Sequence, residues 1–244
     1  MLTFPIALRF NNYIAHPYWP EQEKLINITK ESGMNRARSD EKRRKALRDY
    51  LAARNMTMED FEVLERAANR QFYTFGTTLP DGFGQQHDPD EICVPAHQMY
   101  GCLAQAADLA SGSIRVARLE QIRTVLRVSS IATGCTKPAG VWERFVLVKS
   151  GTGQTLSNQR ALRVNQYLGV FDGTGFISFN EDSVPLKKVA DFLAYAGREI
   201  GAGASRKMGW GRFTVRFGEP VEVPAADPTA MVEALDEIRE RKRA

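Results

Sequence analysis

The stretch that decides the fold is GAGASRKMGWGRF, which runs from Gly201 to Phe213. Its spacing is GxGxxxxxGxG, with four glycines in eleven residues. Ordering a glycine costs more conformational entropy than ordering other residues, so the pattern predicts a backbone that bends sharply or approaches a ligand closely. A helical pattern with Val189 and Phe192 on one side precedes the stretch, and a strand pattern over 213–217 follows it.

This order excludes the two commonest nucleotide-binding loops. A dinucleotide GxGxxG lies between a strand and a following helix, and a P-loop needs Gly-Lys-Ser/Thr, which is absent here. Instead, basic side chains, glycine-rich amides and a tryptophan suit the phosphodiester backbone of a nucleic acid. Trp210 is able to stack on a base or to pack in the core. The candidate RNA-binding residues of the loop are Gly201, Gly203, Ser205, Arg206, Lys207, Gly209, Trp210, Gly211 and Arg212.

Working outward from the loop, the predicted elements, when reduced to their core, have the order β-α-β-β-α-β. They comprise strands over 2–14, 123–131, 142–149, 174–179 and 213–217, and helices over 96–110 and from 183 onward. We therefore expect an α+β fold with a ferredoxin-like, RRM-like core formed by residues 1–20 and 73–218. Residues 219–244 are expected to form a tail with a short helix. The pattern is shared with RNA-recognition domains, but a fold alone does not give a function.

Residues 21–72 are predicted to be a polar, helical insertion into this core. Ser39 is suited to cap one helix, and Thr57 with Asp60 resembles a capping box that opens the next. The segment 35–48 holds seven basic residues and two acidic ones, so its own net charge is 7 − 2 = +5. This is more than the net charge of +4 of the whole chain. It is a candidate polyanion-binding face that includes Arg43 and Arg44, and the alternative is a solvated helix face.

The composition is that of a globular protein. The chain has 244 residues, 43% of them hydrophobic and 25% charged, which excludes a wholly disordered or low-complexity chain. No run of about 18 apolar residues predicts a membrane span, and the first residues do not resemble a signal peptide. The three cysteines lack CxxC spacing, so we expect no disulfide framework, no metal site, no cofactor and a cytoplasmic location.

Two segments of the chain resemble one family. GAGASRKMGWGRF looks like the C-terminal glycine-rich loop of the repeat-associated mysterious protein (RAMP) superfamily of CRISPR-associated proteins. VPAHQMYGCL, over 94–103, is similar to the I-P-x-S-x-x-(K/R)-G-x-(L/I)-R helix start of the backbone subunits. The family's Ser and basic residue are replaced here by Ala96 or His97 and by Tyr100.

The resemblance implies a guide-RNA-binding subunit of a ribonucleoprotein effector complex for antiviral defense. Its partners would be guide RNA, target nucleic acid, and other CRISPR effector subunits or copies of itself. His97 is added to the RNA-binding candidates by its place in the second segment. RNA-cleaving backbone subunits carry an Asp in an early loop, where Asp81, Asp88 and Asp90 lie without a recognisable match.

Two alternatives stay open within the same superfamily. One is a metal-independent guide-RNA-processing endoribonuclease with a His as general acid or base, for which the candidates are His16, His87 and His97. The other is a phage or mobile-element relative that interferes with effector complexes.

Two further interpretations concern the region between 140 and 166. Arg160 and Arg163 are expected to share a face on a turn or short helix between two strands, where they are candidates to hold phosphates, and the alternative is a solvated connection. Trp142 and Phe145 are expected in the core, and the alternative is stacking on bases.

Overall fold

The computed structural model describes residues 1–15, 19–79, 81–150 and 157–221, with the backbone alone for residues 35, 146–150 and 157–161. His16 and the helix expected near the end of the chain lie outside the described residues. The fold is mixed α+β, as the sequence predicts. Contacts divide the chain into a helical unit, residues 17–71, and a second unit that contains the strands.

Most strands join one antiparallel sheet, whose order is β2-β3-β5-β8-β1-β9, with β4 also paired to β8. A separate antiparallel hairpin is formed by β6 and β7. The strands are β1 (Leu2–Asn11), β2 (Tyr73–Thr74), β3 (Ile92–Val94), β4 (Leu126–Val128), β5 (Ile131–Ala132), β6 (Gly140–Ser150), β7 (Ser157–Tyr167), β8 (Phe171–Phe179) and β9 (Arg212–Phe217).

Six α-helices lie within the described residues. They are α1 (Pro20–Glu31), α2 (Asp40–Ala52), α3 (Met58–Ala68), α4 (Ala96–Leu109), α5 (Ile122–Val125) and α6 (Leu186–Tyr195). A π-helical turn, Ala196–Ile200, continues α6 toward the glycine-rich stretch. In the part of the chain that is described, no helix is both long enough and apolar enough to cross a membrane.

The main core lies between one face of the sheet and the helices α4 and α6. On β1, alternate side chains are buried, from Phe4 to Phe10, as a strand that covers a core on one face requires. The helices bury Met99 and Leu103 from α4 and Phe192 from α6. Burying one such side chain contributes about 1.5–3 kcal/mol, so this layer holds β1 and its neighbours in place.

The helical unit has its own small core, formed by Ile28, Leu47, Leu51 and Phe61. Both predicted helix starts are confirmed. The Ser39 hydroxyl accepts a hydrogen bond from the Lys42 amide, and Thr57 and Asp60 form a complete capping box. The apolar residues of α2 face this core, which leaves its cations exposed to solvent.

Two sequence predictions in the middle of the chain are wrong. Residues 122–125 form the helix α5, and residues 157–167, expected to be a connection, form β7. β7 pairs with β6 alone, in a separate two-stranded sheet, and does not cover the main core. Its sequence therefore lacks the regular alternation of apolar and polar residues by which a core-covering strand is predicted.

Candidate nucleic-acid interface

The glycine-rich loop, Gly201–Gly211, is tied by hydrogen bonds to the segment that follows β1. The Gly211 amide donates to the Asn12 carbonyl at 2.6 Å, and the Ala204 amide donates to the Ile14 carbonyl at 2.7 Å. Across the loop, the Ala202 amide donates to the Gly211 carbonyl at 2.9 Å. The base of the loop is therefore part of the folded core rather than a free strap.

The glycines at the base of the loop are needed for packing within the protein. Gly203 and Gly211 have φ values of +80° and +72°. A Cβ on Gly203 would lie 2.5 Å from the Ile14 carbonyl oxygen, and one on Gly211 would lie 1.8 Å from the Ala202 oxygen. Gly201 is similarly close to the Gly211 carbonyl. Only protein atoms are needed to explain these three glycines.

Most of the loop amides that were expected to face an anion already have acceptors. The amides of Met208 and Gly209 donate to the carbonyls of Ser205 and Arg206, within a turn at the loop tip. Together with the bonds at the base, six loop amides donate to protein carbonyls, those of Gly201, Ala202, Ala204, Met208, Gly209 and Gly211. Any binding of an anion at the loop therefore depends chiefly on its side chains.

The tip of the loop exposes a positively charged side chain and a thioether to solvent. Lys207, Met208 and Gly209 are exposed, and Arg206 is half-buried. Ser205 sits in the left-handed region at φ +58°, which opens the turn. No side chain or backbone atom of the described residues would meet a Cβ on Gly209, so this glycine lies in open space.

The hairpin of β6 and β7 packs against the loop through three aromatic rings. The Trp142 and Trp210 ring centroids are 4.8 Å apart, and the Tyr167 ring meets Trp210 edge-on at 5.5 Å. Trp210 is thus held by packing, on both sides, to the hairpin. Phe145, which was expected in the core, is 75% exposed, because it lies on the opposite face of β6 from Trp142.

The face of the hairpin that meets the loop also carries two opposed arginines. Arg144 and Arg163 are cross-strand partners, and the Arg144 guanidinium lies 4.8 Å from the Trp142 ring centroid. Arg144 also donates to the Met208 sulfur at 2.6 Å, which brings it to the loop tip. Like charges directly opposite each other destabilise an antiparallel pair, so this arrangement favours an anion that neutralises them.

Two buried donors on this face have no hydrogen-bond partner among the described residues. They are Nδ2 of Asn165, whose side chain is 2% exposed, and Nε of Arg144. Buried polar atoms are almost always paired, so each of these donors needs an acceptor other than the described protein atoms, such as an ordered water. We name the surface formed by Trp142, Arg144, Arg163, Asn165, Tyr167 and the loop tip 206–210 the hairpin–loop face.

Several predicted residues lie elsewhere. Arg160 and Arg163 lie in β7 rather than on a turn or short helix, and the side chain of Arg160 is outside the described residues. Arg212 points its guanidinium to the Arg198 carbonyl at 2.7 Å and lines a groove with Arg9. Arg43 and Arg44 are exposed on α2, in the helical unit.

Of the candidate histidines, His16 lies outside the described residues and the other two differ in environment. His87 stacks on Phe75 at 3.8 Å and its imidazole lies 3.9 Å from the Glu91 carboxylate. His97, at the start of α4, lines a cavity with Tyr73 and Arg123. Within the described ranges, no three His, Cys, Asp or Glu residues are grouped to hold a metal.

The cavity at His97 lowers the pKa of this imidazole. The first cause is burial, which disfavours the charged form, and the second is the positive charge of Arg123. We expect an NMR titration to give a His97 pKa below the ordinary histidine value. Arg123→Gln will raise it, whereas the exposed Arg118→Gln, outside the cavity, will leave it unchanged. A His97 pKa at or above the ordinary value contradicts this environment.

The lowered pKa of His97 also makes the stability of the fold depend on pH on the acid side. Because the unfolded chain binds this proton at a higher pH than the folded chain, His97 weakens the fold as the pH falls below the unfolded pKa.

The comparisons with known proteins give weak structural likenesses. No protein-family model matches the chain, and no curated protein matches it. A chain of the cryo-EM structure of the Type III-B Cmr-beta complex bound to cognate target RNA has 10% identity and a TM-score of 0.41 over 91% of this chain. This chain spans 62% of that one.

Two other solved structures are similar at the same level. A chain of a CRISPR RNA-guided surveillance complex shares 10% identity over 98% of this chain and 84% of that chain, with a TM-score of 0.35. Cmr6 from Pyrococcus furiosus shares 10% identity over 88% of this chain and 98% of its own, with a TM-score of 0.31. At these values the likenesses assign no function.

Proposed function

We propose that this chain is a non-catalytic, guide-RNA-binding subunit of a CRISPR-type ribonucleoprotein effector complex. The observation that carries RNA binding is the hairpin–loop face. There, Arg144 and Arg163 oppose each other on the hairpin, and Arg144 donates to Met208 in the loop tip that also carries Arg206 and Lys207. Phosphate oxygens neutralise the arginines and accept hydrogen bonds from guanidinium groups, whatever the base sequence.

The core supports the same proposal at the level of the fold. The strands β9, β1, β8 and β4 are neighbours in this order, all antiparallel, with α4 and α6 as the two connecting helices. This is the order of a ferredoxin-like β-α-β-β-α-β core in which the hairpin β6–β7 is an insertion before β8. We propose that the core is ferredoxin-like, and this strand order supports that proposal.

The choice of guide RNA and of CRISPR partners comes from the RAMP resemblance of the segments 94–103 and 201–213. Assembly with other effector subunits, or with copies of this chain, belongs to that proposal, as does a cytoplasmic location. The basic face of α2 would contact target nucleic acid or a neighbouring subunit. Arg44 and Arg48 are one turn apart on this helix and exposed, while Arg43 is paired with Asp40 at 3.2 Å.

The first experiment is purification of the full chain, followed by identification of any nucleic acid that comes with it. RNA of uniform length, sensitive to ribonuclease, is the expected result. A preparation without nucleic acid that also fails to retain single-stranded RNA in filter binding at low salt overturns the proposal. Binding should weaken steeply as salt increases, since phosphate contacts release counterions.

The same preparation tests whether the subunit is catalytic. We expect a hairpin RNA to stay intact in EDTA. Cleavage at a discrete position in EDTA, lost in His97→Ala but not in His87→Ala, would overturn the non-catalytic assignment in favour of a guide-processing endoribonuclease. His97 is the candidate to replace because its imidazole lines a cavity, where burial and the charge of Arg123 lower its pKa and so favour the neutral form that a general base needs.

A further inference from the structure

A cavity of about 450 Å³ lies beside the first turn of α4. It is built from residues of β2 and the segment after it, the start of α4, the helix α5 and the connection between β4 and β5. Its size falls within the roughly 300–1,000 Å³ of small-molecule sites. None of its lining residues belongs to the hairpin–loop face. The lining residues that matter here are Tyr73, Asp81, Ala96, His97, Tyr100 and Arg123.

One aromatic pair and one cation–π pair line the cavity. The rings of Tyr73 and His97 meet edge-on with centroids 5.0 Å apart. The Arg123 guanidinium lies 5.3 Å from the Tyr100 ring centroid. Aromatic rings and arginine planes are the surfaces on which an unpaired nucleobase stacks.

The cavity is lined by one positively charged and one negatively charged side chain, Arg123 and Asp81. Arg123 is exposed and offers a planar set of donors suited to phosphate. The Asp81 carboxylate accepts from the amides of Ser130 at 2.7 Å and Phe83 at 3.1 Å, so it is fixed in place. Its oxygens have lone pairs left for the N–H groups of a base. A ligand that pairs with the rings, the Asp81 carboxylate and the Arg123 guanidinium therefore carries a planar ring with N–H donors and a separate anionic group.

We propose that this cavity binds a single nucleotide, with the base against its aromatic rings and the phosphate at Arg123. The nucleotide is either free or one unstacked residue of a longer RNA. Binding of a free nucleotide does not depend on the hairpin–loop face. Only the second source, a residue of bound RNA, rests on the proposed function.

The free nucleotide is tested by titrating the full chain with each of the four ribonucleoside 5′-monophosphates. Chemical shifts of the His97 imidazole report on occupancy of the cavity. We expect at least one nucleotide to shift them with a Kd in the millimolar range or tighter. Arg123→Gln should weaken that affinity about tenfold, the loss of one charge-assisted hydrogen bond, and Arg118→Gln should not.

The second variant fills the cavity with a larger side chain. Ala96→Phe adds a ring at the cavity without removing a charge, and Ala96 lies in the first turn of α4, where its backbone amide bonds only to the Ser130 hydroxyl. We expect this variant to keep its circular dichroism spectrum and to lose nucleotide binding. If Ala96→Phe is unfolded, Arg123→Gln decides alone.

Single-stranded oligouridylate distinguishes the two sources. If the cavity takes a residue of bound RNA, Ala96→Phe weakens RNA binding and lowers the slope of log affinity against log salt by about 0.7, because the one phosphate contact at Arg123 is lost. If RNA affinity is unaffected, the cavity takes a free nucleotide. Failure of every monophosphate to bind, together with unchanged RNA affinity in both cavity variants, overturns the inference but leaves the hairpin–loop face intact. Conversely, nucleotide binding without any RNA binding overturns the proposed function alone.

Discussion

Gly211→Ala will lower the free energy of unfolding by about 3–4 kcal/mol, because a left-handed alanine costs roughly 1–2 kcal/mol and two backbone hydrogen bonds of about 1 kcal/mol each are lost. The added Cβ would lie 1.8 Å from the Ala202 carbonyl oxygen. The loop arms must then separate, which breaks the bonds from Ala202 to Gly211 and from Gly211 to Asn12. Urea denaturation followed by tryptophan fluorescence measures the change.

Gly209→Ala is the matched control for this substitution. Its φ of +83° is as unfavourable for alanine as that of Gly211, but a Cβ there meets no atom of the described residues. Its cost should be the backbone strain alone, about 1–2 kcal/mol. Equal losses at both positions would show that the base of the loop is not packed as described.

The double substitution Arg206→Ala, Lys207→Ala is expected to weaken binding of single-stranded RNA about 25-fold at ~0.1 M salt. Each phosphate contact releases about 0.7 counterion from a single strand, so two lost contacts also reduce the salt slope by about 1.4. Filter binding over a series of salt concentrations measures both quantities. Both side chains lie at the loop tip, so the fold should be preserved.

The control for charge is Arg118→Ala, Lys137→Ala. It removes the same two positive charges from exposed positions of the same unit, outside the hairpin–loop face. It should change RNA affinity by less than about threefold, through the general field of the protein only. Equal losses in the two double variants would mean that RNA is attracted by net charge without a defined face.

Local signals in the sequence predicted the helices and their caps well. Ser39 and Thr57 both cap helices, because a cap depends on residues within one turn of each other. The helical pattern before the glycine-rich stretch and the strand pattern after it were also interpreted correctly, since both are buried on one face. The fold class therefore follows from patterns that extend over a few residues.

The candidate site was predicted only in part, because its geometry joins distant segments. Arg144 and Arg163 oppose each other only because β6 and β7 pair, and β7 has no pattern that identifies it as a strand. The sequence predicted a backbone that bends sharply or lets a ligand approach closely. In the structure, Gly203 and Gly211 allow the close approach of the chain's own backbone. The cavity at His97 needs residues from 73 to 130 and has no linear motif.

The position of β1 in the sheet has a consequence for how the chain folds. The first strand along the sequence lies between β8 and β9, among the last strands to be synthesised. A ribosome adds about 5–20 residues per second, so a nascent β1 waits roughly ten seconds or longer for either neighbour. During that time its four apolar inward side chains are available to chaperones and to other nascent chains. We therefore expect slow, high-contact-order folding and a yield that rises with chaperone supply.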